Sequence, residues 1–177
     1  MTEATGEQWG RRFEAGVGAR IRALREARGL STTALADGMT RLGVPVNQST
    51  MSKYERGVIG IGLAQLTAAA VVLETSPAVL LVDLEADEVE VAPGRFAGVV
   101  DAVEWWAGRQ TLPAAAYSLE HAVGPLVLLR QRAELLAVAV RLAGVNDEVA
   151  DAAQAHVPKV DAQLAAHRWQ PAVGDDA

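Results

Sequence analysis

Apolar residues recur at helical spacing along most of the chain, punctuated by glycine and proline. Val17, Ile21 and Leu24 form a stripe that predicts a first helix over Val17–Arg28, which Gly29 stops. Leu30 then turns inward, and Ser31 can cap a second helix over Thr32–Leu42. Its buried stripe is Leu35, Met39 and Leu42, and Ala34 and Ala36 keep its bulk low. In Gly43-Val44-Pro45-Val46 the proline forces Val44 into an extended conformation and breaks the helix. A short third helix follows, with Asn47 as N-cap and Gly57 ending it in a left-handed conformation. Met51, Tyr54 and Glu55 share its inner side, and Gln48, Ser49, Ser52 and Lys53 share the other.

That outer side has no apolar residue. Its short or flexible hydrogen-bonding groups suit base edges in a major groove, where Gln addresses adenine and Lys addresses guanine. A fourth helix over Leu63–Glu74 places Leu66, Ala69, Ala70 and Leu73 on one face. Ser76-Pro77 opens a fifth, Pro77–Val82. Before the first helix, Trp9 and Phe13 lie four apart and can make one turn. Gly6, Gly10 and Gly16, with little periodicity, instead predict a loose N-terminal arm over 1–16.

The second half reads as helices only. Asp83, Glu85, Asp87, Glu88 and Glu90, closed by Pro93-Gly94, predict an acidic linker over 83–94. Arg95–Arg109 repeats Phe96, Val99, Val100, Val103 and Trp106 at helical spacing. Pro113–Val123 and Pro125–Ala143 follow as two more helices. In the last of these, Leu126, Leu129, Ala133, Leu136, Val140 and Ala143 keep a heptad spacing, and Leu128, Leu135, Val138 and Leu142 make a second apolar face. A helix apolar on two faces must be buried on both, which assigns one of them to a subunit contact. Asn146 caps a final helix that Pro158 ends or kinks before Val160–Trp169. Residues 95–170 form this all-helical domain for oligomerisation or partner binding, and 171–177 are a fraying tail.

Charge is divided unevenly along the chain. The net charge is −6, which by itself argues against nucleic acid. Residues 1–60 hold nine Arg/Lys against six Asp/Glu, whereas 61–177 hold seven against sixteen. Such a split hints at a nucleic-acid-binding part joined to a different part. There is no cysteine, hence no disulfide, thiolate metal site or cysteine nucleophile. No His pair has metal-ligand spacing among His121, His156 and His167. Ser118 and Lys159 evoke a self-cleaving dyad, but that chemistry is carried on β-strands, and none is visible. Gly16-Val17-Gly18 and Gly57-Val58-Ile59-Gly60-Ile61-Gly62 lack the spacing of a phosphate loop. Trp105-Trp106 read as core packing or interface, with the lining of a ligand pocket as the other use of adjacent tryptophans. No signal peptide and no membrane span are expected, so the protein reads as soluble and cytoplasmic. No enzyme chemistry, metal or cofactor is expected.

Residues 17–82 resemble the helix-turn-helix DNA-binding domain of the Cro and phage-repressor class, the xenobiotic-response-element family. The resemblance rests on Ile21 through Ser31, Leu35-Ala36, Ser49 through Gly57, Leu66 through Leu73 and Ser76-Pro77. It implies a five-helix, lambda-repressor-like domain in an all-α chain, with the third helix in the major groove. By position in the motif, Gln48, Ser49, Ser52 and Lys53 would read bases. Thr32, Thr33, Asn47 and Arg56 would meet phosphates, with Arg20, Arg22, Arg28 and Arg41 as further candidates. Arg25 and Glu55 would pair structurally. One departure stands out: Thr40–Val46 is about five residues longer than the family's usual tight turn.

Double-stranded DNA is therefore the expected partner, and a homodimer through 95–170 the expected assembly. The function expected is a repressor on a pseudo-palindromic operator, with any effector unidentified. The alternative is a protein-interaction module, an antitoxin or adaptor, whose acidic helical half binds a protein.

Overall fold

The computed structural model describes the backbone of residues 6–112 and 119–166, and side chains over 6–112 and 124–166. These form two compact units that divide between Ala107 and Gly108. The first contains α1 (Gly6–Ala27), α2 (Thr32–Arg41), α3 (Gln48–Glu55), α4 (Leu63–Val72) and α5 (Pro77–Leu81). It continues through strands β1 (Glu88–Ala92) and β2 (Arg95–Gly98) into α6 (Val99–Trp106). The second contains α7 (Leu119–Leu142) and α8 (Asp147–Ala166).

The core of the first unit comes from the stripes read in the sequence. Val17 and Ile21 of α1 meet Leu35 and Met39 of α2, Met51 of α3, Leu66 and Leu73 of α4 and its end, and Leu80 of α5. Ile21, Leu35, Met39, Met51, Leu73 and Leu80 are fully enclosed. Each such side chain contributes roughly 1.5–3 kcal/mol by leaving water. The crossing of α1 and α3 is close because Gly18 faces the carbonyl of Tyr54, where any Cβ would collide with the oxygen.

The structure corrects several expectations from the sequence. The loose arm over 1–16 is helical from Gly6 and continuous with the first helix. Its glycines are offset by an aromatic docking site. Trp9 stacks on Phe13 with centroids 5.1 Å apart, Phe13 stacks on Trp106 at 6.3 Å, and Trp105 meets Trp106 edge-on.

The chain is also not all-α. The expected acidic linker contains β1, and the expected helix from Arg95 begins instead at Val99, after β2. The strands pair antiparallel, with Val89 opposite Ala97 and Ala92 opposite Arg95, and a register shift between Glu90 and Ala92. Glu88-Val89-Glu90-Val91 alternates with the period of a strand, but over too few residues to outweigh its acidity. An isolated hairpin is marginal in water. This one is held from α1: the Trp9 indole donates to the Glu90 carbonyl at 3.0 Å, and Arg12 meets the Glu90 carboxylate at 2.7 Å.

In the second unit, α7 passes without interruption through Pro125, where a helix start was expected, and α8 through Pro158, where an end or kink was expected. Proline's fixed φ is helical, so the loss in each case is one hydrogen bond and a local steric adjustment. Residues 113–118 of the expected helix Pro113–Val123, the end of the expected stretch Val160–Trp169 from 167 on, and the tail 171–177 lie outside the described residues. Gly144 (φ 74°) and the Asn146 side chain, which accepts from the Val149 N–H, turn α7 into α8.

Gly18→Ala should cost about 1–3 kcal/mol by overpacking the α1–α3 crossing, read as a lowered melting temperature; an unchanged one would contradict that closeness. The Gly94 N–H, and then Arg12, hold the Glu90 carboxyl below its ordinary pKa. A carboxyl lowered on folding stabilises above its unfolded pKa and stops doing so as pH falls through the folded one. Hydrogen-exchange protection of the hairpin should therefore fall on acidification through the carboxylate range. Protection indifferent to pH there would contradict the Glu90 anchor.

Candidate nucleic-acid interface

Each helix of the candidate site carries its own start signal. The Ser31 side chain accepts from the Ala34 N–H at 3.0 Å and opens α2. Asn47 accepts from the Thr50 N–H at 2.8 Å and opens α3. Gly57, at φ 64°, closes α3.

The long connection between α2 and α3 is ordered by local bonds. The Gly43 N–H donates to Thr40 and the Val44 N–H to Met39, which closes α2 with a left-handed glycine at φ 83°. The Val46 N–H then donates to the Thr40 hydroxyl at 3.3 Å, folding the segment back on α2. Val44 and Val46 pack on the core. The extra residues thus form a structured corner rather than a slack tether.

Met51 and Glu55 of α3 are buried. Gln48, Ser49, Lys53 and Arg56 are exposed, and Ser52 is half-buried. The Gln48 amide donates to the Ser52 hydroxyl at 3.3 Å. The Ser49 hydroxyl donates to Asn47 Oδ1 at 2.8 Å, so that oxygen already serves two donors. Asn47 can therefore approach a phosphate through its amide nitrogen. Thr33 is exposed and Thr32 half-buried at the start of α2, where free N–H groups favour an anion.

Arg25 is 7% exposed and so is Glu55. Arg25 Nε donates to Glu55 Oε1 at 2.6 Å and Nη2 to Oε2 at 2.9 Å, a bidentate pair. Its third nitrogen, Nη1, donates to the Leu30 carbonyl at 2.8 Å. One guanidinium therefore joins the end of α1, the entry to α2 and the inner side of α3. The Glu55 bonds hold Arg25 protonated above its already high ordinary pKa.

The other arginines divide by partner. Arg20 is not positioned as a phosphate contact: Nε and Nη2 donate to the carbonyls of Leu80 and Leu81, at the C-terminal end of α5. Its pKa is lowered, first by burial. A long cation near a helix end is legible in sequence only as a surface charge, so this role was missed. Arg22 is exposed and pairs with Glu26 at 2.8 Å. Arg41 at the end of α2 and Arg56 just after α3 remain exposed, and Arg56 Nε donates to the Ser52 carbonyl. Among the described residues no group of His, Asp and Glu has the makings of a metal site, and no helix is long and apolar enough to cross a membrane.

Glu55→Ala leaves the Arg25 charge buried without its carboxylate. The expected loss is about 3–5 kcal/mol of stability, measured by denaturant unfolding. Unchanged stability would mean that the pair does not hold α3.

In comparison with known proteins, a family model described as a helix-turn-helix domain matches residues 17–81. No curated protein and no solved structure matches the chain. The matched segment begins in the middle of α1 and ends with α5, and it takes in both the Arg25–Glu55 pair and the exposed face of α3. Residues 17–81 are a helix-turn-helix domain.

Proposed function

We propose that the chain is a sequence-specific DNA-binding transcriptional regulator of the Cro and phage-repressor class, acting by binding rather than catalysis. The observation that carries this reading is the two-sided α3. Its inner side is fixed by Met51 and the Arg25–Glu55 pair, and its outer side presents Gln48, Ser49, Ser52 and Lys53 without an apolar residue. A rigid helix with a polar outer face is what base reading in the major groove requires.

In this reading Gln48, Ser49, Ser52 and Lys53 reach base edges. Thr32, Thr33, Asn47 and Arg56 meet phosphates on either side, fixing register without adding sequence information. The protein acts as a dimeric repressor, with two α3 helices about 34 Å apart on a pseudo-palindrome. The acidic remainder of the chain keeps non-specific attraction to DNA low, so specificity rests on the few outer-face groups.

Selection of bound duplexes from a random pool should enrich one pseudo-palindromic site. Lys53→Ala should weaken binding to that site by about 1–3 kcal/mol with the fold intact by circular dichroism. No enriched site, together with a shallow dependence of binding on salt, would overturn the reading.

A further inference from the structure

The sequence placed two apolar faces on α7, and among the described residues of the unit the structure partners only one of them. Leu128, Arg132, Leu135, Ala139 and Leu142 are buried or half-buried at alternating spacings of four and three. They match the buried row Ala150, Ala153, Val157 and Val160 of α8, which packs on α7. Arg132 closes this seam through Asp161 at 2.6 Å.

The heptad row lies about a quarter-turn away around the helix. It stays in water: Leu126 is 46% exposed, Leu129 51% and Val140 78%. Ala133 and Ala143 are exposed as well, and Leu136 is half-buried. Arg130, Glu134 and Arg141 border this row, and no charge lies on it.

We propose that this row is a self-association surface, on which α7 of a second copy lies antiparallel to close a four-helix arrangement. The inference rests on the dimeric part of the reading above and assigns its surface and orientation. Three observations select a second copy in that orientation.

The first is size. A two-fold axis between Ala133 and Leu136 sets Ala133 against the second copy's Leu136, Leu126 against its Ala143, and Leu129 against its Val140. Small thus meets large at both alanines, as close packing demands. A parallel pairing would set Ala133 on Ala133 and Ala143 on Ala143, leaving voids. The second is charge. Residues 108–177 hold six cations against eight anions and the row itself is uncharged, so a second copy meets no like-charge repulsion there. The third is area. Covering the row on both copies removes roughly 1,000 Å² from water, the size of a weak, reversible interface.

The test uses the full chain. Light scattering should show a reversible dimer, and the double variant Leu129→Glu/Val140→Glu should be monomeric with unchanged helical content. The chain has no cysteine, so single cysteines report the register. Leu126→Cys mixed with Ala143→Cys should form a disulfide-linked dimer on oxidation, and Leu126→Cys alone should not. A wild-type dimer that survives the double substitution overturns the surface while leaving a dimeric regulator standing. Efficient linkage of Leu126→Cys to itself overturns the antiparallel register. A wild-type chain that stays monomeric at high concentration overturns both the surface and the dimeric reading. DNA binding by that monomer would still support the regulator itself.

Discussion

The arrangement of the helix-turn-helix domain depends on one guanidinium. Arg25 spends its nitrogens on Glu55 of α3 and on the Leu30 carbonyl that leads into α2. Hydrophobic burial of Ile21, Leu35, Met39 and Met51 brings the three helices together, but apolar contact is non-directional. The bidentate pair adds direction, since two parallel bonds fix the azimuth of α3 about its own axis. Breaking it would leave a buried charge unpaired, so alternative rotations of α3 are disfavoured by several kcal/mol. Which residues of α3 face outward thus follows from a contact on its inner side.

The remainder of the first unit stiffens the same helix from the other end. α1 extends well before the domain match and docks on the β1–β2 hairpin and α6 through Trp9, Phe13 and Arg12. Near the middle of α1, Gly18 allows α3 to lie directly on it. Arg20 grips the last carbonyls of α5. α1 is therefore the common spine of the unit, and the face of α3 that would meet DNA is positioned by a long, doubly anchored helix rather than by a minimal three-helix corner.

Much of this was legible in the sequence, for physical reasons. Helices α1 to α5 announce themselves by stripes and by caps such as Ser31, Asn47 and Gly57, and these signals are local. The likeness of Arg25 and Glu55 to a known pair anticipated a contact across thirty residues, which periodicity alone does not give. The hairpin was hidden because Glu88 to Glu90 read as solvated charge, and only Trp9 and Arg12, eighty residues earlier, supply its support. The α1 extension was hidden for the converse reason: three glycines argue locally against a helix that tertiary docking restores. On α7 both apolar faces were visible, but which of them meets α8 is a matter of pairing that the pattern alone does not decide. The outer-face residues of α3 were identified by position, and the structure adds that Asn47 is already engaged as a cap and that Gln48 rests on Ser52.

On the proposed reading, the outer face of α3 reads bases individually while its inner face only aims it. Repeating the random-pool selection with Gln48→Ala tests this directly. Preference should then be lost at one base step in each half-site, with the remaining positions and the fold unchanged. An enriched site identical to that of the wild type, or one with every preference lost, would contradict it.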